Sequence, residues 1–146
     1  MQVEVKFDPS CEETRIIVIT DRMTDEINDL VRQLTERSPQ IIVGQCDDSL
    51  EILEQTDIVR IYSSSGKVFA VSDGKEYTLR QRLYELEEKL DQSRFARISN
   101  SDIINLKKVR KFDLSLAGTI CVLLSDGSTA YVSRRYVSKI KKILGI

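Results

Sequence analysis

The spacing of hydrophobic positions changes along the chain, and each change predicts a different element. Val3, Val5 and Phe7 alternate with polar residues, the pattern of a half-buried strand, and Asp8-Pro9-Ser10 supplies a turn after it. Arg15–Thr20 is a continuous β-branched run that suits a strand covered on both faces. Ile27, Leu30, Val31 and Leu34 then fall at i, i+3, i+4 and i+7, one face of a helix. Thr24 suits the N-cap of that helix, and Asp25 and Glu26 suit the positive end of its dipole. Gln40–Gly44 returns as a short strand. Residues 1–48 therefore read as a small β-β-α-β unit, with too little apolar area for a comfortable core of its own.

From residue 49 the pattern shortens to strands separated by turns: Leu50–Leu53, Ile58–Ser63, Lys67–Val71, Glu76–Leu79, Val109–Leu114, Thr119–Leu124 and Thr129–Val132. Asp73-Gly74 and Asp126-Gly127 each lie between two strand-like runs, a strong short-range hairpin signal. They belong to a weak internal repeat. Val71-Ser72-Asp73-Gly74 and Leu124-Ser125-Asp126-Gly127 stand 53 residues apart, each followed by a strand and a short helix. Leu83, Leu86 and Leu90 form the apolar stripe of the first helix; Val137, Ile140 and Leu144 form that of the second. The same offset pairs Arg82 with Arg135. Residues 49–146 are thus predicted to be mostly β (α+β), antiparallel, with short helices.

Charge sharpens this division. Residues 1–92 hold 11 Lys/Arg against 20 Asp/Glu, whereas residues 93–146 hold 11 against 3. The near-zero net charge of −1 conceals an acidic part and a basic part. A basic final third suits a polyanion or an acidic partner; the plainer reading is that the two parts neutralise each other. Hydrophobic content of 41% and charged content of 31% are ordinary for a globular protein. No apolar run reaches the length of a membrane span, and the first residues lack a signal-peptide pattern, so a cytoplasmic location is expected. Cys11, Cys46 and Cys121 are widely spaced and outside any CxxC motif, which argues against zinc and against a disulfide framework. The chain has no histidine, no P-loop and no nucleophile elbow, so neither an enzyme nor a cofactor is expected.

The segment Phe95-Ala96-Arg97-Ile98-Ser99-Asn100-Ser101-Asp102-Ile103-Ile104-Asn105-Leu106 carries more information. With Ser125-Asp126-Gly127 and Val132-Ser133-Arg134-Arg135-Tyr136-Val137 downstream, it resembles the LytTR family of bacterial DNA-binding domains. Asp57-Ile58 to Tyr62, the Asp73-Gly74 hairpin and Leu83–Leu90 fit the same pattern in order, so the likeness covers residues 49–146. Many members carry a His-Arg or His-Lys pair before the serine and an aromatic after it; here Ser99, Asn100 and Asp102 stand in those places. Residues 1–48 are too short for a receiver domain, which places the chain with stand-alone members. The resemblance implies elongated antiparallel sheets whose loops enter successive major grooves of a direct-repeat promoter. It also implies a transcription regulator with double-stranded DNA as partner, a homodimer on DNA, and an inhibitory membrane protein as a further partner. The alternative is a protein-interaction module whose basic third docks an acidic partner. RNA binding ranks third, because paired strand aromatics for base stacking are missing.

Arg135 matches the family position that reaches a base. Arg134 and Arg135 follow Ser133, a natural N-cap, and cations there oppose the helix dipole unless something external favours them. A phosphate or a guanine edge would do so; solvation, or an ion pair with Glu85 or Glu87, is the alternative. Asn100 can present its amide to adenine, or bond locally within a turn. Gly66 and Lys67 occupy the third contact region of the family, or form a plain turn. Arg134, Lys107, Lys108, Arg97, Lys139 and Lys142 are candidate phosphate contacts, each open to being only a solvated charge. Asn105 and Ser101 are expected to hold a turn. The acidic first 45 residues are expected to serve association.

Overall fold

The computed structural model describes residues 1–35, 41–115 and 117–146. It divides into two compact units, Met1–Ser38 and Pro39–Ile146. Among the described residues of the first unit there is one regular element, helix α1 (Asp25–Thr35). Thr24 Oγ1 accepts the Ile27 N–H at 3.2 Å, so the expected cap forms, with Asp25 and Glu26 in the first turn. The Asp8 turn forms as well: the Cys11 N–H donates to the Asp8 carbonyl, and the amide and hydroxyl of Ser10 donate to its carboxylate.

The two strands expected at Val3–Phe7 and Arg15–Thr20 do not form; the described residues before α1 contain no strand. A β-branched run becomes a strand only where a neighbour takes its backbone hydrogen bonds. The third expected strand does form, as β1 (Ile42–Cys46), with Gln40 outside the described residues. It does not complete a β-β-α-β unit. It pairs antiparallel with β2 (Ser49–Leu53) and β5 (Lys75–Leu79), inside the second unit. Gly44 explains the fit: a Cβ there would lie 2.6 Å from Tyr77 Cβ, so only glycine lets β1 approach β5 this closely.

The Pro39–Ile146 unit is built from two antiparallel sheets. The larger adds β3 (Ile58–Ser64), β4 (Lys67–Ser72), β6 (Phe95–Arg97) and β7 (Asp102–Asn105), in the order β2-β1-β5-β4-β3-β7-β6. The smaller comprises β8 (Val109–Asp113), β9 (Ile120–Leu124) and β10 (Thr129–Val132), in the order β10-β9-β8. Helices α2 (Leu83–Lys89) and α3 (Arg134–Leu144) follow β5 and β10, as the internal repeat anticipated.

Strands β3, β6 and β7 send successive residues to opposite faces, and each face has its own core. Ile58, Ile61, Phe95 and Ile103 join Leu83, Leu86 and Leu90 beneath α2. Val59, Ala96 and Ile104 join Val122, Leu124, Val132 and Ile140, the last from α3. Burial on both faces explains the continuous apolar runs in these strands. Asp73-Gly74 turns the β4–β5 hairpin with both residues at positive φ, as its sequence predicted. No described helix is long and apolar enough to cross a membrane.

Candidate functional site

Three segments meet at one place in the Pro39–Ile146 unit. The first is the two-residue turn Ser65-Gly66 between β3 and β4, where Ser64 pairs with Lys67. Both turn residues have positive φ, which a glycine at the second position adopts without strain. The second is the Ser99–Ser101 turn between β6 and β7. The third is the start of α3. Two backbone hydrogen bonds join them: the Ser63 N–H donates to the Ser101 carbonyl, and the Ser133 N–H donates to the Ile98 carbonyl, both at 2.9 Å. Gly66 and Lys67, Asn100, and Arg134 and Arg135 are thereby carried on three adjoining segments, and all five are exposed. Ser133 occupies the N-cap of α3, yet its hydroxyl makes no capping bond. Its backbone N–H instead serves the link to Ile98.

Between the first two segments lies a cleft of about 580 Å³ lined by Ser63–Gly66, Arg82, Tyr84, Arg97 and Asn100, with Val68 and Leu83 beneath. Arg82 and Tyr84 were not singled out as contacts in the sequence. The 53-residue offset between Arg82 and Arg135 was the signal available. Both arginines lie at the start of a helix, but not at the same position: Arg82 is the N-cap of α2, whereas Arg135 stands two residues past Ser133, the N-cap of α3.

The arginines at the start of α3 have no acidic partner among the described residues. Both acidic candidates are engaged elsewhere: Glu87 pairs with Arg97 at 3.0 Å, and Glu85 accepts the Arg82 N–H at 3.3 Å. The Arg135 guanidinium lies 5.8 Å from the centre of the Tyr136 ring, a contact that steadies it without neutralising it. Two exposed cations at the positive end of a helix make a site where an anion is favoured. Lys139 and Lys142 are exposed four and seven residues beyond Arg135, on the same helical face.

Arg97 is placed differently from the expectation of a phosphate contact. Its Nε donates to the Ser99 carbonyl at 3.0 Å, one terminal nitrogen to the Asn100 carbonyl at 2.8 Å, and the other to the Glu87 carboxylate. With all of its fork engaged and its side chain 15% exposed, it braces the turn that carries Asn100. Lys107 and Lys108 lie in the 3-10 turn Leu106–Lys108. Lys107 is exposed, whereas Lys108 is half-buried and its carbonyl accepts the Ser125 N–H. Asn105 is structural, but it lies at the far end of β7 and not in the turn after Phe95–Ile98 that it was expected to hold. Fully buried, it donates to the Ile58 carbonyl at 2.8 Å and accepts the Lys107 N–H at 3.0 Å.

Among the described residues no group of His, Cys, Asp or Glu is arranged to hold a metal ion, and the three cysteines are free. Five strands separate α2 from α3, so this pair is not a helix-turn-helix.

Comparison with known proteins agrees with the fold. The sequence profile of the LytTr DNA-binding domain matches residues 48–145. A protein of Staphylococcus aureus strain NCTC 8325 / PS 47, named an uncharacterized HTH-type transcriptional regulator, is 29% identical over 147 residues, covering 100% of this chain and 99% of its own. A protein of the same name from S. aureus strain MSSA476 is 31% identical over 135 residues, covering 92% and 91%. The solved LytTr DNA-binding domain of a Bacillus cereus protein superposes with a TM-score of 0.71 at 20% identity, covering 73% of this chain and 98% of that domain. At that identity the likeness speaks for the fold alone.

Proposed function

The chain belongs to the LytTR family of DNA-binding domains, and from that premise we propose that it is a transcription regulator that reads promoter DNA in sequence. Reading is by turns and a helix start entering the major groove, with Arg135 and Asn100 at base edges and Gly66 and Lys67 beside them. The observation that carries this is the pair of hydrogen bonds joining Ser63 to Ser101 and Ser133 to Ile98, which gather the three segments that carry the exposed Lys67, Asn100 and Arg135. Asn and Arg are the side chains whose forks match adenine and guanine edges. Arg134, Lys139, Lys142 and Lys107 lie exposed in the same unit and serve as phosphate contacts, which add affinity and salt dependence. Arg97 is reassigned from phosphate contact to brace of the Asn100 turn.

The Met1–Ser38 unit is assigned to association of two copies. Its support is composition and exposure: Val3, Val5, Phe7 and Ile16–Ile19 are all exposed, and residues 1–56 hold 5 Lys/Arg against 13 Asp/Glu, a balance that phosphates repel. A dimer would set two reading units on a direct repeat and raise occupancy through effective concentration.

Gel shifts at fixed salt test the reading. Duplexes enriched by the protein from a random library should bind far more tightly than scrambled duplexes of equal length. Equal affinity for both would overturn it and leave the basic third as a docking surface for acidic partners.

A further inference from the structure

The turn that carries Asn100 is held more completely than an exposed turn needs to be. All five carbonyls from Ile98 to Asp102 accept a hydrogen bond. Ile98 takes the Ser133 N–H, Ser99 takes the Arg97 Nε–H, Asn100 takes a terminal N–H of Arg97, Ser101 takes the Ser63 N–H, and Asp102 takes the Ile98 N–H. The neighbouring side chains are engaged too. Ser99 and Ser101 donate to Asp102 Oδ2 at 3.4 and 3.2 Å, and the Ser101 N–H donates to Ser99 Oγ at 3.2 Å. Asp102 Oδ1 is paired with Arg60 of β3. Arg60 also donates to the Thr129 carbonyl of β10 at 3.2 Å, so one guanidinium ties the turn to both sheets. Within this frame the Asn100 side chain stands exposed, with no hydrogen-bond partner among the described residues.

We propose that Asp102 and Arg97 are positioning residues for base discrimination, which hold the Asn100 amide in the one orientation that matches a base edge. The proposal rests on the reading of Asn100 as a base contact and adds what fixes its specificity. The physical reason is geometric. An amide discriminates adenine by donating and accepting at once, and both bonds form only if the backbone beneath is fixed. A looser turn would let the amide rotate and make one bond to several bases, so preference would fall while phosphate contacts keep the general affinity. Order present in the free protein also spares the complex the entropy of ordering the turn on binding.

The test is a comparison of base preferences, position by position, after selection from a randomised duplex library. Asn100→Ala marks the base pair that Asn100 reads. Asp102→Asn keeps the shape and removes the ion pair; Arg97→Lys keeps the charge and cannot hold both carbonyls and Glu87 together. Each should relax preference at the Asn100 position by about tenfold while preference at the Arg135 position is kept. Affinity for scrambled duplex should stay level or rise for Asp102→Asn, since a negative charge is removed. A merely structural role would weaken all sequences alike. Amide relaxation of Ser99–Ser101 in the free protein gives a second reading, and both variants should lower order there. Should Asp102→Asn fail to fold, Arg97→Lys carries the test alone. A wild-type protein without base preference overturns the DNA reading itself. A preference that Asn100→Ala leaves untouched overturns the assignment of Asn100 and this proposal with it. Wild-type preference at that base pair in both Asp102→Asn and Arg97→Lys overturns the positioning role only.

Discussion

The two units of this chain use similar apolar residues to opposite ends. In Pro39–Ile146 the β-branched residues of β3 and β7 are buried on both faces, with Ile58, Ile61 and Ile104 fully enclosed. In Met1–Ser38 an equally β-branched run, Ile16–Ile19, is exposed, with Ile19 at 94%, and none of the described residues of this unit is buried. The apolar stripe of α1 reaches only half-burial at Ile27, Leu30 and Leu34. The difference lies in partners rather than composition. Strands β3 and β7 have neighbours along both edges and a layer over each face, whereas residues 16–19 pair with no strand among the described residues. A domain that buries its apolar side chains is stable by itself, whereas one that displays them is suited to meeting another surface.

The contrast can be broken first where the core is deepest. Ile104→Ala removes a fully buried side chain from the core beneath the small sheet, and should cost about 2–5 kcal/mol in urea unfolding. A loss well below 1 kcal/mol would mean that the second core is not tightly packed. Gly44→Ala should come next. The added methyl meets Tyr77 Cβ at 2.6 Å, and parting β1 from β5 should cost about 1–3 kcal/mol. An unchanged melting curve would show that β1 is not held to this sheet. Smallest of all is the counterpart in the first unit. Ile19→Ser should change unfolding of Pro39–Ile146 by no more than about 0.5 kcal/mol, because the side chain is exposed. The same substitution should reduce cooperative occupancy of two half-sites. Undiminished cooperativity, in this variant or after removal of the N-terminal unit, would end the assignment of that unit to association.

How far the sequence foretold this structure follows the same contrast. The hairpin at Asp73-Gly74, the stripe of α2 and the second half of the repeat were legible because each is specified locally, by turn residues and periodicity. The Cys46–Ser49 hairpin was harder to see, since Asp47-Asp48 turns it with Asp47 at positive φ and no glycine to mark it. Strand β7 was read as a turn held by Ser101 and Asn105, because its short apolar pair Ile103-Ile104 follows four polar residues. The strands expected before α1 failed because periodicity reports which residues could form a strand and says nothing about whether another strand lies alongside. At the site, Asn100 and Arg135 came from motif positions, and the structure carries them on joined segments. Arg97, expected as a phosphate contact, is held instead by Glu87, ten residues away, and by two carbonyls that leave no mark in a sequence.

The central claim is that the α3 start reads bases while the outlying cations hold phosphates. The most direct measurement is the affinity of Arg135→Ala and Lys107→Ala for selected and scrambled duplexes across a salt series. Arg135→Ala should lose about 1–3 kcal/mol on the selected duplex, far less on the scrambled one, and relax preference at one base pair. Lys107→Ala should weaken both alike and flatten the log–log salt slope by roughly 0.9. Equal losses for Arg135→Ala on the two duplexes would contradict the account, leaving Arg135 a phosphate contact and α3 without a reading role.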